Sequence, residues 1–318
     1  MTGRRRALGA AGGILLDRAI GEPPPGWPHP VALFGTLMLA VENRLWRDGP
    51  TARAAGVAHA AVGLGVGAAA GTAVGTAVGF GAGSTAVATY TAVAGRLLHD
   101  TALDIAAALD AGDLDGARHR LPALAGRDPS GLSGADMARA VVESVAENTV
   151  DAIVAPALWG AALGGAGALG YRAVNTLDSM VGHRSHRYGR YGWASARLDD
   201  VVAWLPARAT AVLVAAVRPA AAGTVWRTVR RDAPAHPSPN AGVAEAAFAA
   251  ALGLRLGGTN LYGDRVEHRA RLGDGRPPLA ADVHHAVRLS RDVSLALAAA
   301  LAVAAGRGGG PQPLPTRG

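Results

Sequence analysis

Residues 54–95 read AAGVAHAAVGLGVGAAAGTAVGTAVGFGAGSTAVATYTAVAG. These 42 residues contain no Asp, Glu, Lys or Arg. A bilayer hydrocarbon core takes about 20 helical residues. The stretch is therefore too long for one upright span and fits two, at 54–74 and 76–95, with a tight turn expected at 81–84. The alternative is a buried helical hairpin in a soluble core, where uncharged runs of this length are rare. Gly63, Gly67, Gly71, Gly75, Gly79 and Gly83 recur at every fourth position. In water each would weaken a helix by about 1 kcal/mol relative to Ala. In hydrocarbon the backbone hydrogen bonds have no water competitor, so the helix survives. A stripe of small residues then lets two helices approach closely. Gly65-x-Gly67 mimics part of a dinucleotide loop, but no predicted strand precedes it and no ribose-binding acid follows.

The remainder of the chain agrees with a membrane protein. Of its 318 residues half are apolar and 17% charged, against about 25% in a typical soluble domain. The absence of Cys excludes disulfides, Cys-ligated metal centres and a cysteine nucleophile. The net charge is +7, and all 31 basic residues are Arg. They are scattered through the loops rather than gathered on one face, which argues against nucleic acid. Weaker apolar runs lie at 152–171, 201–217 and 294–306. Arg4, Arg5 and Arg6 precede an apolar stretch at 7–16 without a clear cleavage site, so an uncleaved anchor or membrane-surface helix is expected. The segment 307–318 is Pro/Gly-rich and is expected to be a disordered tail.

Three polar regions, 96–147, 172–208 and 218–292, each hold at least five Arg. The first contains a predicted helical hairpin, 102–109 and 116–124, turning at Gly112 and Asp113. Positive-inside logic places all three on the cytoplasmic side. One full crossing at 152–171 would separate the first two. That segment, interrupted by Pro156 and five glycines, is therefore expected to be re-entrant or tilted. The fold class expected is all-α: a polytopic membrane helical bundle forming a single domain over 1–306.

Chemistry-bearing residues cluster between the apolar runs. Glu143, Glu147 and Asp151 are spaced by four on a predicted helix, with Asn148 beside them and Arg139 one turn earlier. Like charges at that spacing mildly destabilise a helix, so the face is either solvated or collected around a cation. It leads into an apolar segment, where unpaired carboxylates are costly. Asn175-Thr176-Leu177-Asp178-Ser179-Met180-Val181-Gly182 suits Mg²⁺ ligation or a helix cap. His183 and His186, flanked by Arg184, Arg187 and Arg190, read as a phosphate-facing or solvated loop, because the guanidinium groups repel a metal. Arg197, Asp199, Asp200 and Arg208 combine Mg²⁺ ligands with a phosphate clamp, or form a surface salt-bridge cluster. Ser238-Pro239-Asn240 caps a predicted helix at 243–254. The segment 256–263, with Asn260, reads as a Gly-rich turn. No phosphate-binding loop of the G-x-x-x-x-G-K-[ST] type is present.

Taken in order, these segments resemble the CobD/CbiB family of cobalamin biosynthesis proteins, the adenosylcobinamide-phosphate synthases. The resemblance covers most of 15–275. It runs through Leu15-Leu16-Asp17, Trp27-Pro28-His29-Pro30 with Gly35, Gly126-Arg127-Asp128 and Glu143-Ser144-Val145-Ala146-Glu147-Asn148-Thr149. The most specific block is 175–182 followed by Tyr191-Gly192-Trp193-Ala194-Ser195-Ala196-Arg197-Leu198-Asp199-Asp200 and Pro206-Ala207-Arg208. Ser238-Pro239-Asn240 and Leu256-Gly257-Gly258 complete it.

The resemblance implies a multi-pass protein of the cell (inner) membrane with a cytoplasmic active site. It implies amide formation between adenosylcobyric acid and (R)-1-aminopropan-2-ol or its O-phosphate. ATP and Mg²⁺ are the inferred cofactors, and an acyl phosphate the activated species. Its partners would be the bilayer and, where they assemble, other late membrane enzymes of the pathway. The roles expected are Glu143 or Glu147 as base, with Asn148 and Asp151 in the catalytic group. Asp178, Asp199 and Asp200 are expected on Mg²⁺, and Asn175, Ser179, Arg184, Arg197, Arg208, Ser238, Asn240 and Asn260 on substrate or phosphate. The competing reading is a transporter for a corrinoid or metal ion, in which ionisable residues lie within spans.

Overall fold

The computed structural model describes residues 2–22, 29–126, 128–183, 185–262 and 265–307, with the backbone alone over 259–268. Trp27, Pro28, Arg127, Arg184, Gly263, the side chain of Asn260 and the tail from 308 onward lie outside the described residues.

The chain begins with α1 (Thr2–Ile20), α2 (Pro30–Leu45) and α3 (Ala52–Val78). With the turn before it, α3 forms a 30-residue helical stretch, Gly49–Val78, long and apolar enough to cross a membrane. It stops at Gly79, whose φ of +82° suits only glycine. The turn thus comes before the expected 81–84. The following α4 (Ala82–Ala92) has 11 residues, about 17 Å of helix. The segment 76–95 is therefore no full span. Tertiary contact cuts it short: Ala94 donates its N–H to the Ala152 carbonyl, and Gly95 packs on Asp17 and Ile153.

Next come α5 (Gly95–Asp110) and α6 (Leu114–Arg120), the expected hairpin, with Gly112 at φ +71°. They lead to α7 (Gly134–Thr149), α8 (Ala155–Leu163) and α9 (Gly165–Leu177). The run 152–171 breaks at Gly164, φ +72°. There α8 and α9 fold back on each other. A Cβ on Gly167 would sit 2.2 Å from the Trp159 carbonyl oxygen, and one on Gly160 would sit 3.4 Å from the Ala168 Cβ. These pairs are near-symmetric about Gly164, as an antiparallel hairpin requires. Pro156 does not break the chain. It follows closely on a π-helical turn, Val150–Val154, through which the helix continues into α8.

The C-terminal half holds α10 (Tyr188–Tyr191), α11 (Trp193–Val202), α12 (Trp204–Val217), α13 (Ala222–Asp232) and α14 (Ala241–Leu252). A β1–β2 hairpin (Leu256–Tyr262 and Arg265–Leu272) and α15 (Ala280–Arg307) follow. The run 201–217 is the second arm of a helix pair bent by 41°. The run 294–306 is the end of α15, itself apolar and long enough to span. Among the described residues two helices can cross a membrane, or three if the bent pair is one span. The all-α class stands. Among the described residues the one departure is the antiparallel hairpin, where the sequence predicts a Gly-rich turn at 256–263. Gly257 and Gly258 have φ of +78° and +104° and mark a register shift at the start of β1.

The four-residue glycine repeat divides along the chain. Gly63 faces the Leu177 side chain, Gly67 faces Ala173 and Leu169, and Gly71 faces the Gly165 backbone. Gly75 faces the Phe80 ring, Gly79 makes the turn, and Gly83 has nothing within 4 Å. Three glycines thus seat α9 antiparallel on α3. The N-terminal helix is a bundle member as well. Gly9 and Gly13 pack on Ala82, Thr85 and Thr89 of α4, and Arg4 donates to the Ala305 carbonyl at the end of α15.

This packing predicts opposite outcomes for two neighbouring glycines. A Cβ on Gly71 would fall 2.0 Å from the Gly165 carbonyl oxygen, whereas one on Gly65 meets nothing within 4 Å. Gly71→Ala is expected to cost about 1–3 kcal/mol or more through forced backbone displacement. Gly65→Ala is expected to be neutral or stabilising. Thermal melts of detergent-solubilised protein followed by size-exclusion chromatography test the contrast.

Candidate active site

Glu147, Asp151, Asp178, Asp199 and Asp200 line one cavity of about 220 Å³. Val150, Ala196, Pro237, Ser238, Asn240 and Ala241 complete its wall. The side chains come from α7, α9, α11 and the start of α14, so elements far apart in sequence meet here.

Two of the carboxylates sit on π-turns. α7 runs into a π-helical turn, Val150–Val154, which carries Asp151. α9 runs into a second, Asp178–Gly182, which carries Asp178. Such turns insert one residue into a helix, re-aim its side chains, and recur at functional sites. Glycine makes the second turn fit. A Cβ on Gly182 would lie 1.8 Å from Asp178 Oδ1, and one on Gly192 would lie 1.7 Å from the Val181 carbonyl oxygen.

A network of polar groups orients these acids. The Tyr171 hydroxyl donates to Asp151 Oδ1 at 3.2 Å. Asn175 Nδ2 donates to Asp199 Oδ1 at 3.4 Å and also bonds to Asp151. Asn240 Nδ2 donates to the Asp200 carbonyl at 2.8 Å, while its Oδ1 accepts from Arg208 at 2.8 Å. Arg208 itself stacks over the Trp204 ring. Arg197 lies 3.3 Å from Asp200 and is largely exposed. Ser238 Oγ accepts from the Asn240 and Ala241 N–H groups and caps α14. The cap is therefore made by Ser238, freeing Asn240 to bridge Asp200 and Arg208.

The acids crowd one another. Burial pushes the Asp151 carboxyl up to about 7, aided by the charges of Glu147 and Asp178 and opposed by the Tyr171 and Asn175 hydrogen bonds. Burial, with the charges of Asp200 and Glu147, raises Asp178 to about 6.

Several residues singled out in the sequence stand elsewhere. Glu143 is buried against the β-hairpin, where its Oε1 accepts the Gly257 N–H at 2.8 Å and lies 3.6 Å from Arg139. The acidic face of α7 is thus split: Glu143 holds β1, and Glu147 and Asp151 turn to the cavity. Asn148 donates back to the Ser144 carbonyl of its own helix. Ser179 is exposed and donates to the Asn175 carbonyl. Arg187 pairs with buried Glu42 at 2.9 Å and stacks on Trp46, so this part of the loop anchors to α2 rather than facing phosphate. Arg184 and the Asn260 side chain lie outside the described residues. Sequence reasoning missed Tyr171, reading it only as the end of an apolar run. Its position four residues before Asn175 and seven before Asp178 puts all three on one face of α9.

A family profile described as CobD/Cbib protein matches residues 10–290. The chain belongs to the CobD/CbiB family of cobalamin biosynthesis proteins. It is 49% identical over 297 residues to Cobalamin biosynthesis protein CobD of Mycobacterium tuberculosis, covering 92% of this chain and 93% of that one. It is 40% identical over 285 residues to Cobalamin biosynthesis protein CobD of Rhodobacter capsulatus, covering 87% and 90%. The protein of the same name from Geobacter metallireducens is 41% identical over 277 residues, covering 84% and 86%. No solved structure matches the chain. Within this CobD/CbiB chain, the block 175–200 supplies three of the five cavity carboxylates and the two glycines that make room for them.

Two outcomes follow. First, the native state holds protons on Asp151 and Asp178 that the unfolded chain releases near pH 4, the ordinary carboxylate range. Their contribution to stability therefore falls as pH rises from about 4 to about 7 and is flat above. In metal-free buffer the melting temperature is expected to drop across that window, and less so in Asp151→Asn. Second, Gly182→Ala drives a methyl group into the Asp178 carboxylate. It is expected to lower any activity of the chain at least 10-fold while the helical circular-dichroism signal persists.

Proposed function

We propose that this CobD/CbiB chain is an amide ligase, an adenosylcobinamide-phosphate synthase. It joins the free propionate carboxyl of adenosylcobyric acid to the amine of (R)-1-aminopropan-2-ol or its O-phosphate, with ATP as phosphoryl donor. The observation that carries this reading is the meeting of Glu147, Asp151, Asp178, Asp199 and Asp200 in one cavity. The family membership gives the pathway, and the cavity suits the chemistry.

A carboxylate is a poor acylating agent. Transfer of the γ-phosphoryl group to the propionate oxygen releases ADP and leaves an acyl phosphate. The amine nitrogen then attacks the carbonyl carbon, phosphate departs, and the nitrogen gives up a proton. That proton needs an acceptor poised near neutral pH, and Asp151 matches this requirement with Glu147 beside it. Tyr171 and Asn175 fix the carboxylate for that task. Glu143 is excluded as base, since its carboxylate is engaged by Gly257 and Arg139.

Asp178, Asp199 and Asp200 are the donors suited to Mg²⁺. Among the described residues no three His, Asp or Glu side chains are grouped to hold a metal by themselves. Mg²⁺ takes one or two carboxylates and fills its shell with water and phosphate, so a pair suffices. Its charge, when bound, would neutralise phosphate. The upward-shifted carboxyls of this cavity are those an incoming cation relieves. Arg197, exposed beside Asp200, is the guanidinium we assign to phosphate, and Arg208 acts through Asn240 as a positioning residue.

At about 220 Å³ the cavity admits the reacting ends, a propionate, an amine and a phosphate, while the corrin ring stays outside. We place the protein in the cell membrane with this cavity on the cytoplasmic side, where ATP is available and where Arg-rich loops reside.

Purified protein is to be supplied with adenosylcobyric acid, Mg²⁺, ATP and each amine, with product read by mass spectrometry. Asp151→Asn is expected to lose about 10²–10⁴-fold in turnover, and Asp199→Asn to lose turnover as well. Full activity in both would end the proposal. The pH profile of kcat/KM is expected to rise through about 7, the Asp151 value. Tyr171→Phe removes a bond that favours the charged carboxylate and should move that rise to higher pH.

A further inference from the structure

On the far face of α9 from the cavity lies a second space of about 270 Å³, between α2, α3 and α9. Its walls include Leu33, Phe34, Leu37, Val66 and Leu169, and Arg172 stands among them. Leu33 and Leu37 are largely exposed, so the groove opens sideways from the bundle. Arg172 Nε is buried without a hydrogen-bond partner. Among the described residues no carboxylate lies within ion-pair distance of its guanidinium. The acids that act on it from further away are engaged elsewhere: Glu22 with His29 at 2.5 Å, and Asp151 with Tyr171 at 3.2 Å.

Leu169 and Ala173, which bracket Arg172, pack on Gly67 of α3. A buried guanidinium without a counter-charge is costly unless an anion meets it. The apolar walls exclude a hydrated ion as the sole occupant. Both demands are met by an amphiphile whose tail lies in the groove and whose anionic group reaches the guanidinium.

We propose that this groove is a phospholipid site, with an acyl chain along α2 and α3 and the phosphodiester on Arg172. The bound lipid braces α9 from behind, opposite the face that carries Tyr171, Asn175 and Asp178.

Delipidated full-length protein in mild detergent is to be titrated with phosphatidylglycerol, with diacylglycerol and with inorganic phosphate, and adducts counted by native mass spectrometry. The expected result is one phosphatidylglycerol retained per chain, at least 10-fold more tightly than diacylglycerol. Inorganic phosphate should not displace it. Arg172→Gln is expected to erase the preference over diacylglycerol. Ala70→Trp, which fills the groove without touching the charge, is expected to abolish retention. Equal retention of diacylglycerol and phosphatidylglycerol by the unaltered chain overturns the proposal, and this arm does not depend on any variant folding. Displacement by inorganic phosphate also overturns it, since the anion would then come from solution.

Discussion

Everything at the cavity depends on how closely the backbones of α3 and α9 approach. Gly63, Gly67 and Gly71 remove the side chains that would hold these helices apart, and at Gly71 a single methyl group would collide with the Gly165 carbonyl. In hydrocarbon there is no hydrophobic force between helices, so association rests on close packing of this kind. The consequence is positional. α9 is fixed along its length, and the π-turn at its end is fixed with it, so Asp178 and Asn175 are held in place by glycines more than 100 residues earlier in the chain.

The cavity works against its own stability. Five carboxylates share one half-buried space, and burial together with the neighbouring charges holds Asp151 and Asp178 above the usual carboxylate range. Such a gathering works against packing alone, because charges of one sign repel and burial strips a carboxylate of its hydration. The surrounding donors, from Tyr171 and Asn175 to the Asn240 and Arg208 bridge, offset part of this cost while leaving the acids close to the charge state that a cation or proton transfer would use. The glycines at 182 and 192 belong to the same economy of space, since each stands where a methyl group would strike Asp178 or the strand of backbone beside it.

The sequence made the class of fold and the membership of the site legible in unequal measure. The uncharged run at 54–95 announced helices in a bilayer, because charge avoidance over such a length has few other causes. It could not announce that its second half would stop after 11 residues, since that is decided by Ala94 bonding to Ala152 across the bundle. The acids of the cavity were visible as residue types in polar regions. Glu143 looked equivalent to Glu147 at a spacing of four, and only the docking of the β-hairpin separates them. That hairpin was itself hidden, because Gly257 and Gly258 carry turn chemistry into the first residues of a strand. Tyr171 was hidden for the opposite reason: a phenol at the end of an apolar run is unremarkable until the hydroxyl is seen to reach Asp151.

The hairpin at Gly164 is what allows Asp151 and Asp178 to meet. They flank the apolar run, Asp151 just before α8 and Asp178 just after α9. Were the intervening segment one continuous helix, about 27 residues at 1.5 Å each would set them roughly 40 Å apart, on opposite sides of a bilayer. Gly164 with its positive φ reverses the chain, and Gly167 against the Trp159 carbonyl lets the two arms close. Both ends of the hairpin then lie on the same side of the turn, each ends in a π-turn, and each π-turn delivers one acid to the cavity. A composition that looks like a weak membrane span, too rich in glycine and marred by a proline, is the composition needed for two short helices that turn back and pack on each other.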